Sequence, residues 1–254
     1  MNLYVQSLGT GPDIVLLHGW GLHSDIWSDI AQQLATRFRV TLIDLPGHGR
    51  SPLISDYSLP HVAACVAEVA PPHAAWLGWS LGGMVAMHIA MTSPRRVTAL
   101  MLVASTPQFV RSSDWPHAMD QTTLELFAQS LQENHAQTVQ RFLASQACGA
   151  VQAQDTLHRL RSAVLQYPPQ PDALRGGLAI LRDTRLRSRL HEITCPVQII
   201  LGENDMLIPC EVGPALQAQI PDAHLHVIAA AGHAPFISHP TEFISCISEF
   251  LGQI

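Results

Sequence analysis

Gly78-Trp79-Ser80-Leu81-Gly82 is the stretch on which the fold of this chain turns. A short apolar run, Ala74-Ala75-Trp76-Leu77, leads into it, and an amphipathic stretch from Gly83 to Ala90 follows. A strand that turns sharply into a helix holds the serine at its apex in a strained backbone and pushes the hydroxyl into the open. Glycines two residues before and after are needed, because a β-carbon at either place would collide across the turn. The hydroxyl also lies beside a helix N-terminus, where free N–H groups stabilise developing negative charge. The spacing marks Ser80 as a nucleophile and predicts strand, turn and helix around it.

Working outward, short apolar runs ended by turn residues recur along the chain. They are Ile14–Leu17, Val40–Ile43, Ala75–Leu77, Leu100–Val103, Val197–Leu201 and Leu225–Ile228. Helical stretches separate them, and none shows clean alternation. That pattern belongs to a mostly parallel sheet covered by helices on both faces, an α/β architecture. Ligands of such sheets bind beyond the carboxyl ends of the strands. The rhythm breaks between about Gln108 and Asp183, where the pattern is helical and strand-poor. This predicts a core of residues 1–108 and 184–254 with a helical lid over 109–183.

Only 13% of the 254 residues are charged and 47% are apolar, as in a compact globular chain with a large core. A net charge of −6 argues against nucleic acid as a general partner. All 14 cationic side chains are arginine, and nine of them, with seven acids, fall between Arg111 and Arg189. That segment is therefore slightly basic and the remainder strongly acidic. Five scattered cysteines with no C-x-x-C pair favour free thiols over a disulfide framework or a zinc site. No basic region followed by a long apolar segment opens the chain, and no apolar run is long enough to span a bilayer. The expectation is a soluble cytoplasmic monomer, without metal, cofactor or membrane attachment.

A serine hydroxyl needs a base, and the base needs a partner that holds its tautomer. After such an elbow these follow in the order acid, then histidine. His233, in Gly232-His233-Ala234-Pro235-Phe236, comes directly after the last apolar run and is the expected base. Asp205, in Gly202-Glu203-Asn204-Asp205, is the expected acid, with Glu203 as the alternative. Asp44, opening Asp44-Leu45-Pro46-Gly47-His48-Gly49, reads as a carboxylate that fixes a loop. Two backbone N–H groups must hold the oxyanion. Leu81 supplies one, and Trp20, between Gly19 and Gly21, supplies the other, unless its ring is merely a core aromatic. His224 and His226 could ligate a metal, although alternate residues of a half-buried strand explain them as well.

Together these stretches resemble the α/β-hydrolase superfamily over essentially the whole length. Ser112-Ser113-Asp114-Trp115-Pro116, Arg141-Phe142-Leu143-Ala144 and the run from Ala231 to Pro240 are more specific. They look like the esterases that remove the methyl ester from pimeloyl-[acyl-carrier protein] in biotin synthesis. The resemblance implies an α/β-hydrolase fold with a helical lid and an acyl-carrier protein bearing a pimeloyl methyl ester as partner. It implies a substrate site of Trp20, Ser80, Leu81, Phe142, Gln146 and His233, with Phe142 and Gln146 on one helix face. Arg141, Arg159 and Arg161 become candidate contacts for the acidic carrier, a solvated helix face being the competing reading. Gln137 stands where the family can carry a further arginine. A general short-chain esterase, a carbon–carbon bond hydrolase or an acyltransferase would use the same residues, since specificity lives in the lid. Ser80 excludes the fold's carboxylate-nucleophile chemistries, and a non-catalytic binding protein would be expected to lack one of the three residues.

Overall fold

The computed structural model describes residues 2–253. The first half alternates strands and helices: β1 (Val5–Leu8), β2 (Asp13–Leu17), α1 (Ser28–Leu34), β3 (Arg39–Ile43), α2 (Leu59–Val69), β4 (Ala74–Trp79), α3 (Leu81–Thr92) and β5 (Val97–Val103). Four helices without a strand of the sheet come next: α4 (Gln121–Glu133), α5 (His135–Ala147), α6 (Ala153–Gln166) and α7 (Pro171–Asp183). The chain then returns through β6 (Val197–Gly202), α8 (Val212–Gln217), β7 (Ala223–Ile228), α9 (Pro235–Ser238) and α10 (Pro240–Leu251). Among the described residues no helix is long and apolar enough to cross a membrane.

The seven strands form one sheet in the order β1-β3-β2-β4-β5-β6-β7. β1 pairs antiparallel with β3, and every other pairing is parallel. Parallel neighbours require a crossover between them, and the intervening helices supply it. The central strands are buried on both faces, all six residues of β4 and of β6 included, which is why they read as continuous apolar runs. β1 escapes that reading. Its Val-Gln-Ser-Leu sequence is only half apolar, it lies at the sheet edge, and its place depends on a partner more than thirty residues away.

The four-helix segment is fastened to the loops at the carboxyl ends of the strands. The Gln170 N–H donates to the Gly47 carbonyl at 2.9 Å, and Leu186 N–H to the Pro107 carbonyl at 3.0 Å. Asn204 Nδ2 donates to the Gly149 carbonyl at 2.9 Å. Near α6, the His23 ring donates from Nε2 to the Ala163 carbonyl at 2.8 Å. Arg50 lies between the rings of Tyr4 and Tyr167, 3.7 and 4.8 Å from their centroids. Its guanidinium bonds Asp44 at 3.0 Å and Asp25 at 2.6 Å. Burial works to raise the Asp44 pKa, but its hydrogen bond to Arg50 and its neighbour His18 hold it down at about 2. Asp44 also accepts from the Ser24 and Arg50 N–H groups, so it fixes this loop as its sequence context suggests.

Candidate active site

Four loops at the carboxyl ends of β2, β4, β6 and β7 converge. Ser80 caps α3 with φ 54° and ψ −116°, a region that costs a non-glycine residue strain and persists only where the surroundings impose it. Those surroundings are explicit. Ser80 N–H donates to the Val103 carbonyl at 2.9 Å, and its carbonyl accepts from Ser105 Oγ at 2.7 Å and Gly83 N–H at 3.0 Å. A β-carbon on Gly78 would fall on the Gly82 carbonyl, and one on Gly82 would lie 2.5 to 2.6 Å from the carbonyls of His18 and Leu17. The two glycines are therefore demanded by close packing between turn, helix and β2.

His233 and Asp205 meet beside this turn. The loops that carry them are tied by Glu203 N–H to the Ile228 carbonyl at 3.0 Å and Asn204 N–H to the Ala231 carbonyl at 2.9 Å. Asp205 Oδ2 lies 2.8 Å from His233 Nδ1, and both side chains are fully buried. The other carboxylate oxygen, Oδ1, accepts the N–H groups of Leu207 at 2.8 Å and Ile208 at 3.0 Å, which locks its rotation. An ionised carboxylate only accepts, so the imidazole proton sits on Nδ1 and the lone pair on Nε2. His233 Nε2 is buried and has no hydrogen-bond partner, a base held ready for a proton. Trp79, the residue before Ser80, donates Nε1–H to the His233 carbonyl at 2.7 Å and packs its indole 5.6 Å from the imidazole centroid. Glu203 does something else: its carboxylate accepts the Ala230 N–H at 2.8 Å and pins the turn after β7.

Leu81 opens α3, where no preceding helical carbonyl reaches its N–H. The loop after β2 passes directly over Ser80, since a β-carbon on Gly19 would lie 3.3 Å from Ser80 Cβ. His18 braces that loop. It accepts the Leu45 N–H on Nε2 at 2.9 Å, so Nδ1–H donates to the Gly19 carbonyl at 2.8 Å. Burial, reinforced by neighbouring His48, lowers the His18 pKa to about 3, and burial holds His48 at about 4, so both are neutral struts. His18 gave no signal in the sequence beyond its place before Gly19.

Trp20 is 1% exposed, and its indole forms one wall of an apolar cavity of about 320 Å3. Phe127 and Phe142 stand edge-on or tilted to it and to each other, with centroids 4.9 to 5.6 Å apart. Phe109, Leu178 and Met206 are among the other lining residues, and Met206, 67% exposed, marks the open side. Leu207 links the cavity to Asp205 through its N–H. The helical period of α4 and α7 hints at Phe127 and Leu178, whereas Met206 sits on a loop that no periodicity predicts.

The remaining expected site residues separate. Gln146 shares α5 with Phe142 but does not line the cavity; it is buried, and its backbone carbonyl accepts the His233 N–H at 3.3 Å. On α5 the two positions lie one turn apart, as their spacing implies, and of the two only Phe142 lines the cavity. Arg141 lines the cavity and is exposed. Arg159 instead pairs with Asp29 of α1, which ties α6 to the core. Arg161 is exposed on α6. Among the described residues no group of three or more His, Cys, Asp or Glu is arranged to hold a metal; His226 bonds Glu242 at 3.0 Å on the sheet edge.

Known proteins resemble this chain in sequence and in fold. The alpha/beta hydrolase family matches residues 14–245. The pimeloyl-[acyl-carrier protein] methyl ester esterase of Chromobacterium violaceum is 43% identical over 251 residues, covering 99% of this chain and 98% of that protein. The protein of the same name from Methylococcus capsulatus is 43% identical over 254 residues, the full length of both chains. An esterase from Exiguobacterium antarcticum superposes with a TM-score of 0.90 at 21% identity, over 98% of this chain and 95% of its own. With β4, the Ser80 turn, α3 and the His233–Asp205 pair in place on a seven-stranded sheet, the chain belongs to the α/β hydrolase family.

Proposed function

We propose that this chain is a serine carboxylesterase that hydrolyses the methyl ester of pimeloyl-[acyl-carrier protein], releasing methanol and the free pimeloyl-carrier. The observation that supports the chemistry is the His233–Asp205 pair at 2.8 Å with Nε2 unpartnered, next to Trp79, the residue that precedes the strained Ser80. The substrate rests on the full-length relatives of that name at 43% identity.

In this reading Ser80 Oγ attacks the ester carbonyl while His233 Nε2 takes its proton. Asp205 stabilises the imidazolium that results. The N–H groups of Trp20 and Leu81 receive the oxyanion, and removing one such donor costs about 3 kcal/mol of transition-state stabilisation. The tetrahedral intermediate collapses, His233 returns the proton to the methoxy oxygen, and methanol leaves an acyl-Ser80 ester. Water, deprotonated by the same Nε2, then hydrolyses that ester and restores Ser80. The helices α4 to α7 act as the lid, and the cavity walled by Trp20, Phe127 and Phe142 takes the apolar acyl chain. The thioester at the far end survives because it is held away from Ser80, a matter of position rather than reactivity.

The carrier docks at the open side, where Arg141 offers a cation to its acidic surface. Arg161 is available in the same way, while Arg159 is already engaged with Asp29. No metal or cofactor is required, and the site works in a cytoplasmic monomer. Complementation of a strain blocked at pimeloyl ester cleavage tests the assignment. Wild type restores growth without biotin and Ser80→Ala does not. Failure of the wild type would sink the substrate assignment and leave an esterase of other specificity.

A further inference from the structure

Two adjacent glycines, Gly176 and Gly177, lie in the middle of α7, although glycine is among the least favourable residues in a helix interior. Their neighbours explain the choice. A β-carbon on Gly177 would stand 2.7 Å from Cδ1 and 3.2 Å from Nε1 of the Trp20 indole, and 3.3 Å from Leu81 Cδ2. A β-carbon on Gly176 would run into the ring of Tyr57. The helix backbone thus touches both residues whose N–H groups are proposed to hold the oxyanion. Three residues earlier on the same helix, the Leu174 carbonyl accepts Trp20 Nε1–H at 2.9 Å. On its other side the indole meets Phe142 and Phe127, at 4.9 and 5.5 Å between centroids, across the cavity.

We infer that Gly177 is a positioning residue: α7 sets the oxyanion loop by clamping the Trp20 indole between its own backbone and the aromatic wall of the cavity. The Leu174 carbonyl fixes the rotation of the indole, and the bare Cα of Gly177 fixes how far it retreats from the cavity. A methyl group at 177 pushes the ring toward the open cavity, the side with space to yield. The Gly19–Gly21 loop, on which the Trp20 N–H is carried, moves with it. The lid helix then belongs to the catalytic geometry as well as to substrate access. This inference rests on the serine-esterase reading above.

The test is the turnover of p-nitrophenyl acetate, whose small acyl group makes little use of the cavity. Gly177→Ala is expected to lower kcat by roughly 10- to 100-fold, the scale of a misplaced oxyanion donor, with KM changed less than about threefold. Its thermal midpoint should fall only modestly, because the helix preference for alanine offsets part of the cost of displacing the ring. In a Trp20→Leu background, where no indole remains to be pushed, the same Gly177→Ala change should cost less than about threefold. An undiminished kcat in Gly177→Ala, or an equal loss in both backgrounds, overturns the clamp. Should Gly177→Ala fail to fold, Trp20→Phe carries the test. Losing the Nε1 tether and the part of the ring that rests on Gly177, it should lower kcat about tenfold with KM nearly unchanged, and a wild-type kcat overturns the inference. Ser80→Ala separates the levels. Inactive Ser80→Ala beside fully active Gly177→Ala overturns the clamp alone, whereas active Ser80→Ala overturns both.

Discussion

Asp205→Asn is the most discriminating single change, because the hydrogen bonds around Asp205 decide how an amide would sit. Oδ1 accepts two backbone N–H groups, from Leu207 and Ile208, and Oδ2 faces His233 Nδ1 at 2.8 Å. An asparagine must keep its carbonyl oxygen at the two N–H donors and therefore turns its NH2 toward His233. Nδ1 then has to accept, and the imidazole proton moves to Nε2. In that tautomer Nε2 cannot take the Ser80 proton. The expected loss in kcat is about 10,000-fold, or roughly 5.5 kcal/mol of barrier, the scale of the wrong-tautomer effect in serine hydrolases. Stability should change little, since both backbone donors keep an acceptor. Steady-state hydrolysis of p-nitrophenyl acetate alongside a thermal melt reads both quantities. The control is Glu203→Gln, which removes charge from a carboxylate that accepts the Ala230 N–H; its kcat should stay within about threefold. Asp205→Asn within tenfold of wild type, or a collapse in Glu203→Gln, would refute the assignment of the acid.

Three further outcomes follow from the same contacts. His18 and His48 are held neutral by burial, with pKa values lowered to about 3 and about 4. The unfolded chain binds their protons first, so stability falls as pH drops below about 6.5 and continues to fall toward 4, by on the order of 4 kcal/mol between pH 7.5 and 5. Urea midpoints across that range measure it; a flat profile contradicts it, and Asp44, held at about 2, adds to the loss only below about pH 4. Arg141→Glu should weaken hydrolysis of the carrier-bound ester about tenfold or more while leaving p-nitrophenyl acetate within twofold; equal losses on both would make Arg141 structural. Arg159→Glu sets a second negative charge against Asp29 and should lower stability by under about 1 kcal/mol, with its effect on the carrier substrate smaller than that of Arg141→Glu.

Much of this molecule is legible in its sequence because the strongest constraints are local. Strands buried on both faces are apolar without alternation, so β2 to β6 announce themselves, whereas β7 at the far edge is mostly half-buried or exposed and carries His224 and His226. Gly78 is fixed by clashes within the turn itself, so the elbow is readable from five residues, although Gly82 is fixed by the Leu17 and His18 carbonyls at the end of β2. What escapes is set by distant partners. β1 is defined by β3 rather than by its own Val-Gln-Ser-Leu. Arg159 looks like any surface arginine until Asp29, 130 residues away, is seen to hold it. Phe142 and Gln146 lie one turn apart on α5, yet only Phe142 lines the cavity, while the Gln146 carbonyl accepts the His233 N–H. The reason for Gly176 and Gly177 is likewise invisible until Tyr57 and Trp20 stand against them. Fold and triad candidates depend on short-range stereochemistry; substrate contacts depend on how four helices settle on the sheet.

In the proposed reaction Ser80 cleaves the terminal methyl ester of the carrier-bound chain and spares the thioester. Intact-mass spectrometry of pimeloyl-[acyl-carrier protein] methyl ester, incubated with the enzyme in oxygen-18 water, tests it in one measurement. The expected product is a carrier still bearing its acyl chain, lighter by one methylene and carrying one heavy oxygen, formed with wild type and not with Ser80→Ala. An unchanged ester, a carrier stripped of its acyl chain, or equal conversion by Ser80→Ala would contradict it.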